Sequence, residues 1–169
     1  SAQGATGAAG GVTIQGLAGA SAQHVRLTDG ASLTSTAVDG QAGSVAVDAD
    51  ELLLQAATVS TTVAGTSPGE RGGSVGLTAS QLTMNGGVVE AESTGASDAG
   101  NVIMDLGSLS AQGGSIVSRS TSQATDAGAG GAIELSAMDI ITLSGTDVLA
   151  TVLGGEQAGG DVTLTAPEI

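Results

Sequence analysis

One phrase recurs six times along the chain: glycine, a small or polar residue, then an alternating aliphatic pair. It reads Gly10-Gly11-Val12-Thr13-Ile14, Gly43-Ser44-Val45-Ala46-Val47 and Gly73-Ser74-Val75-Gly76-Leu77, then Gly100-Asn101-Val102-Ile103-Met104, Gly131-Ala132-Ile133-Glu134-Leu135 and Gly160-Asp161-Val162-Thr163-Leu164. The starting glycines are 33, 30, 27, 31 and 29 residues apart. A period near 30 that varies by a few residues marks a stacked unit that takes up insertions in one loop.

Two further alternating runs follow the phrase within each unit. The second is Val25-Arg26-Leu27, Leu52-Leu53-Leu54, Leu82-Thr83-Met84, Leu109-Ser110-Ala111 and Ile141-Thr142-Leu143. The third, reached through a tight turn, is Leu33-Thr34-Ser35, Val59-Ser60-Thr61, Val89-Glu90-Ala91, Ile116-Val117-Ser118 and Val148-Leu149-Ala150. Alternation at period two is the pattern of a strand with one buried face, and no sustained 3.6-residue period competes with it. Gly, Ala, Ser and Asp fill the stretches between units, such as residues 94–99 and 124–130, which is loop chemistry.

These features predict an all-β chain, residues 1–169 forming a single right-handed parallel β-helix (solenoid). It has about five coils of roughly 30 residues, starting near residues 10, 43, 73, 100, 131 and 160, with three short strands each. Coils about 4.8 Å apart make a rod near 24 Å long, and a single coil cannot bury its apolar side alone. The hexapeptide period of left-handed β-helices is absent, and a β-sandwich does not explain in-register copies of one phrase. The expected inward ladder of the first strand is Ile14, Val47, Leu77, Met104, Leu135 and Leu164. On the third strand, Ser35, Thr61, Ala91, Ser118 and Ala150 form a rung small enough to let a corner close. The same register sets Glu92 beside Arg119 on the outer face, an inter-coil ion pair.

Composition narrows the function classes. The chain has no Phe, Trp, Tyr, Cys or Lys, three arginines (Arg26, Arg71, Arg119), one histidine, and 17 acidic residues, for a net charge of −14. Without stacking rings, and with a charge that repels phosphate, nucleic acid is not an expected partner. No apolar run reaches the ~18 residues of a membrane helix, so membrane insertion is not expected. Cysteine-based metal sites and disulfides are excluded, and so is a Walker lysine. An aliphatic content that brings mean hydropathy to +0.29 argues against disorder.

At Gly100 to Met104, Leu109 to Ser118 and Ile141 to Thr146, with the turns at Asp98 to Asn101 and Gln157 to Asp161, the chain resembles the repeats of filamentous haemagglutinin-like exoproteins. The resemblance runs from Gly10 to Ile169. It implies a secreted bacterial surface protein of two-partner secretion with a right-handed β-helical shaft and a role in cell adhesion. The N-P-N-type motif of that family's secretion domain is absent, so the resemblance implies shaft and not export signal.

The site candidates are few. Glu90 and Glu92 lie about 7 Å apart on one strand face and could serve as acid and base on a glycosidic bond, but no histidine or aromatic wall accompanies them; a solvated outer face is the plainer reading. Asp48, Asp50 and Glu51 at the first corner are candidate ligands for Ca²⁺, without the spacing of a calcium loop. His24 reads as a loop histidine with no partner in sequence, and Asp39, Asp98, Asp126 and Glu156 read as turn residues. No catalytic or cofactor-binding residue is expected. The functional expectation is a structural, adhesive shaft segment of a secreted, extracellular or cell-surface protein, extending a filament by coil stacking. Its partners would be further copies of itself, or surface receptors and glycans. The alternative is a carbohydrate-binding or polysaccharide-degrading β-helix.

Overall fold

A computed structural model describes residues 1–4, 8–38, 40–66 and 71–169; the acidic turn residue expected at Asp39 lies outside them. Among the described residues are thirteen strands: β1 (Ala2–Gly4), β2 (Val12–Ile14), β3 (Ala22–Thr28), β4 (Ser32–Ala37), β5 (Val45–Gln55), β6 (Thr58–Val63), β7 (Val75–Asn85), β8 (Val88–Ser93), β9 (Val102–Gln112), β10 (Ser115–Ser120), β11 (Ile133–Ser144), β12 (Asp147–Val152) and β13 (Val162–Thr165). Apart from one 3₁₀ turn at Leu17–Gly19, the regular structure is β. The strands form two parallel sheets, ordered β1-β4-β6-β8-β10-β12 and β13-β11-β9-β7-β5-β2, with β3 also on β5. The chain is a parallel β-solenoid of about five stacked turns.

The first and second runs of each unit are the two arms of one long strand. In β5 the buried side chains are Val45, Val47 and Ala49, then Leu52 and Leu54, with Asp50 and Glu51 both turned outward between them. Two successive outward residues shift the alternation by one, so the strand bends there and both arms still face the core. In the first coil, where a longer lead intervenes, the arms are the separate strands β2 and β3. The two arms and the third strand give each coil its three runs.

The rungs stack in register, with one bulge in β11 between Ala137 and Ile140. Ile14 pairs with Val47, Val47 with Leu77, Leu77 with Met104, Met104 with Leu135 and Leu135 with Leu164. In the middle coils these side chains are at most 2% exposed. The second arm adds Val25, Leu52, Leu82, Leu109 and Ile141; the third strand adds Val59, Val89 and Ile116. Bulk is exchanged within a coil: the fourth coil has Ala111 where its neighbours have Met84 and Leu143, and Leu106 where they have Ala79 and Ala137. Such compensation fills a narrow core without voids or aromatic rings.

The corner where the third strand hands over to the next coil explains the repeated glycine. A Cβ on Gly73 would lie 2.1 Å from the Gly43 carbonyl oxygen; on Gly100, 2.0 Å from that of Gly73; on Gly131, 2.1 Å from that of Gly100; and on Gly160, 2.0 Å from that of Gly131. Only a hydrogen fits between backbones stacked this closely. The small third-strand rung reaches the same carbonyls from inside: Ser35 Oγ donates to Gly10 O at 3.0 Å, Thr61 Oγ1 to Gly73 O, and Ser118 Oγ to Gly100 O at 2.8 Å. On the outside, Ser44 Oγ accepts from Ser74 N–H, Ser74 Oγ from Asn101 N–H, and Asn101 Oδ1 from Ala132 N–H at 3.0 Å. The residue after Gly43, Gly73 and Gly100 thus ties its coil to the next.

Candidate functional site

The outer face of the third-strand sheet carries the main cluster of charged side chains. Arg119 on β10 pairs in register with Glu92 on β8, and Val117 pairs with Glu90. Alternation sends Glu90, Glu92 and Arg119 to the same side, and a parallel register two residues apart puts both carboxylates within reach of one guanidinium. Arg119 Nη2 lies 2.6 Å from Glu90 Oε1, and Nε lies 3.4 Å from Glu92 Oε1. The second contact is electrostatic only: Nε is buried and makes no hydrogen bond. Glu92 Oε1 accepts instead from Thr121 Oγ1 at 3.1 Å.

This face is less solvated than the sequence reading had it. The Glu90 and Glu92 side chains are only 16% and 18% exposed, and the outward-facing Val117 is 6% exposed. Neighbouring strands on a flat parallel sheet cover one another's outward side chains. Burial raises the Glu90 carboxyl above its usual 4.5, with Arg119 pulling it down and Glu92 adding to the rise. Arg119 therefore holds both carboxylates in one triad. Pairing with Glu92 was legible from the register; the closer contact to Glu90 is its diagonal counterpart, signalled by the i, i+2 acidic pair itself.

At the bend of the long strands, Asp48, Asp50 and Glu51 go different ways. Asp48 Oδ1 accepts from Ser21 Oγ at 2.6 Å, Glu51 Oε2 lies 2.9 Å from His24 Nδ1, and Asp50 is exposed. Among the described residues, no group of three His, Asp or Glu side chains is placed to hold a metal ion. His24 is not a loop residue: it sits in β3 opposite Glu51. The sequence reading missed this because the first coil's 3₁₀ turn displaces the strand start. Aligning Val25-Arg26-Leu27 with Leu52-Leu53-Leu54 carries the signal, since it sets His24 beside Glu51.

Two open grooves of about 530 Å³ follow the corners. One runs over the glycine corner past Arg71, Asp98, Asn101 and Asp161. The other runs along the bend past Asp48, Thr78, Asp105 and Ser136, one side chain from each successive coil. Asp98 has a structural duty, since its Oδ1 accepts from Ala129 N–H at 2.8 Å.

The end coils differ from the middle ones. Val12, Ile14, Leu27 and Leu33 at one end, and Leu143, Val148 and Leu164 at the other, are inward residues only partly buried. Leu149, Leu153 and Val162 are 46%, 62% and 43% exposed. No helix among the described residues is long and apolar enough to cross a membrane. The chain matches no protein-family model, no curated protein and no solved structure.

Proposed function

We propose that this chain is a shaft segment of a secreted bacterial surface protein of the filamentous haemagglutinin-like kind. Its work is structural and adhesive: it lengthens an extracellular filament by stacking coil on coil. The observation that carries this reading is the parallel pairing of both sheets from the first coil to the last, in one register but for a bulge in β11, over one aliphatic core. Each coil is held to its neighbours by backbone ladders, side-chain bonds at the glycine corner and a packed rung, so bending the rod strains all three at once. A charge of −14, with no cysteine to be oxidised, suits an exposed, soluble surface outside the cell. Adhesive contacts with receptors or glycans fall to the grooves and the variable loops.

Negative-stain microscopy of the purified 169-residue chain tests the reading. Stacking gives unbranched filaments of uniform width that lengthen with concentration. Discrete short rods at every concentration would overturn it. A carbohydrate-active β-helix is separated by incubation with polyuronides and neutral glycans: release of reducing or unsaturated ends would favour that alternative.

A further inference from the structure

Resting on the shaft reading, we infer the junction itself: a second copy of this chain docks head to tail, β1 of one copy pairing with β12 of the other while β2 pairs with β13. Each sheet has two edges, β1 and β12 in one, and β2 with β3 and β13 in the other. The two sheets end out of step by part of a coil at both ends. At the far end β13 already lies one coil beyond β12; at the near end β1 lies one coil before β2. One docking step therefore extends both sheets together. The existing registers fix the pairs: Ala2 opposite Ala150, Gln3 opposite Thr151, Val12 opposite Val162, Thr13 opposite Thr163 and Ile14 opposite Leu164.

Three independent features meet at this junction. The first is a bond repeated at each coil: Val12 N–H donates to Ser44 O, Val45 to Ser74, Val75 to Asn101, Val102 to Ala132 and Ile133 to Asp161, all within 2.8–3.0 Å. Its next member is Val162 N–H donating to Gly11 O of a second copy. The second is Gly10, which holds the ladder position of Gly43, Gly73, Gly100, Gly131 and Gly160. Those five need glycine because a backbone carbonyl presses on each, yet among the described residues the nearest atom to a Cβ on Gly10 is Ala2 Cβ at 3.7 Å. Docking brings the Gly160 carbonyl to that place. The third is the partly buried inward pair Ile14 on one end coil and Leu164 on the other, which continues the first-arm core ladder across the joint.

Net charge opposes docking, and salt, which shortens the screening length from about 10 Å at 0.1 M to about 3 Å at 1 M, strengthens it.

Cysteine cross-linking tests the register, since the chain has no cysteine of its own. Thr13 and Thr163 are both exposed and outward. An equimolar mixture of Thr13→Cys and Thr163→Cys chains, mildly oxidised, gives a disulfide-linked dimer at least about tenfold more abundant than either variant alone. Gly10→Ala abolishes filaments while leaving circular dichroism and the denaturation midpoint unchanged, because among the described residues its Cβ meets its own chain only in ordinary van der Waals contact with Ala2. Filaments that form without the mixed cross-link, or that survive Gly10→Ala, overturn this junction and leave the shaft reading standing. A cross-link from either variant alone means a symmetric end-to-end contact and overturns it equally. Absence of both filaments and cross-link overturns junction and stacking together.

Discussion

Replacing Gly100 by alanine adds one methyl group at the most crowded point of the solenoid. That Cβ would stand 2.0 Å from the Gly73 carbonyl oxygen and 2.5 Å from its carbon. Atoms at such contacts need at least 3.0 Å, so the third and fourth coils must part locally by about 1 Å. Three bonds lie across or beside that gap: Val75 N–H to Asn101 O at 2.9 Å, Asn101 N–H to Ser74 Oγ at 3.3 Å, and Ser118 Oγ to Gly100 O at 2.8 Å. At about 1 kcal/mol each, with a further 1–3 kcal/mol for overpacking, the loss is about 4–6 kcal/mol. That is a large share of the roughly 5–15 kcal/mol available to a domain, and it lowers the melting temperature by about 8–24 °C. Urea denaturation followed by circular dichroism measures it, with Gly76→Ala as the control. A Cβ on Gly76 meets nothing within 4 Å, so that variant is neutral or gains about 0.5 kcal/mol through a stiffer unfolded chain. If Gly100→Ala were as stable as Gly76→Ala, close backbone stacking would not be the reason for the repeated glycine.

Met104→Ala, in the middle of the first-arm ladder and fully buried, costs about 2–5 kcal/mol by the same denaturation assay, whereas the end-coil change Leu164→Ala costs less than half as much. Ala56 stands at φ 47° in the turn position held in later coils by Gly86, Gly113 and Gly145, so Ala56→Gly stabilises the chain by about 0.5–1 kcal/mol; a loss would mean that the turn is not strained. The raised carboxyl of Glu90 binds a proton more readily folded than unfolded, so its ionisation costs stability in full above its folded pKa, and this cost disappears as pH falls toward 4.5. Glu90→Gln accordingly has the higher melting temperature at pH 7, and the gap to the unsubstituted chain closes toward pH 4.5; a gap that widens on acidification contradicts the assignment.

Much of the architecture could be read from the chain because a solenoid writes its period directly into sequence. The Gly-x-V-x-L phrase located each coil, and the rung from Ile14 to Leu164 followed from counting. What stayed hidden was of two kinds. Backbone-to-backbone distances leave no mark beyond the glycine they require, so the phrase revealed where Gly73 and Gly100 sit but not that their carbonyls are bonded from inside by Thr61 and Ser118. Irregular units also disguise register: the 3₁₀ turn at Leu17–Gly19 made His24 look like a loop residue, and an alanine at position 56 concealed a left-handed turn that glycine announces elsewhere. The charged face was half legible. Strand register brings Glu92 to Arg119, but the depth at which Glu90 lies depends on how flat the sheet is and how closely Val117 and its neighbours cover it.

X-ray diffraction from aligned filaments of the 169-residue chain tests the central claim, that coils stack along the filament axis both within and between copies. Parallel coils predict a sharp reflection near 4.8 Å on the meridian, along the fibre direction. A 4.8 Å reflection confined to the equator, or none in well-aligned specimens, would mean that the rods do not join through their coil ends.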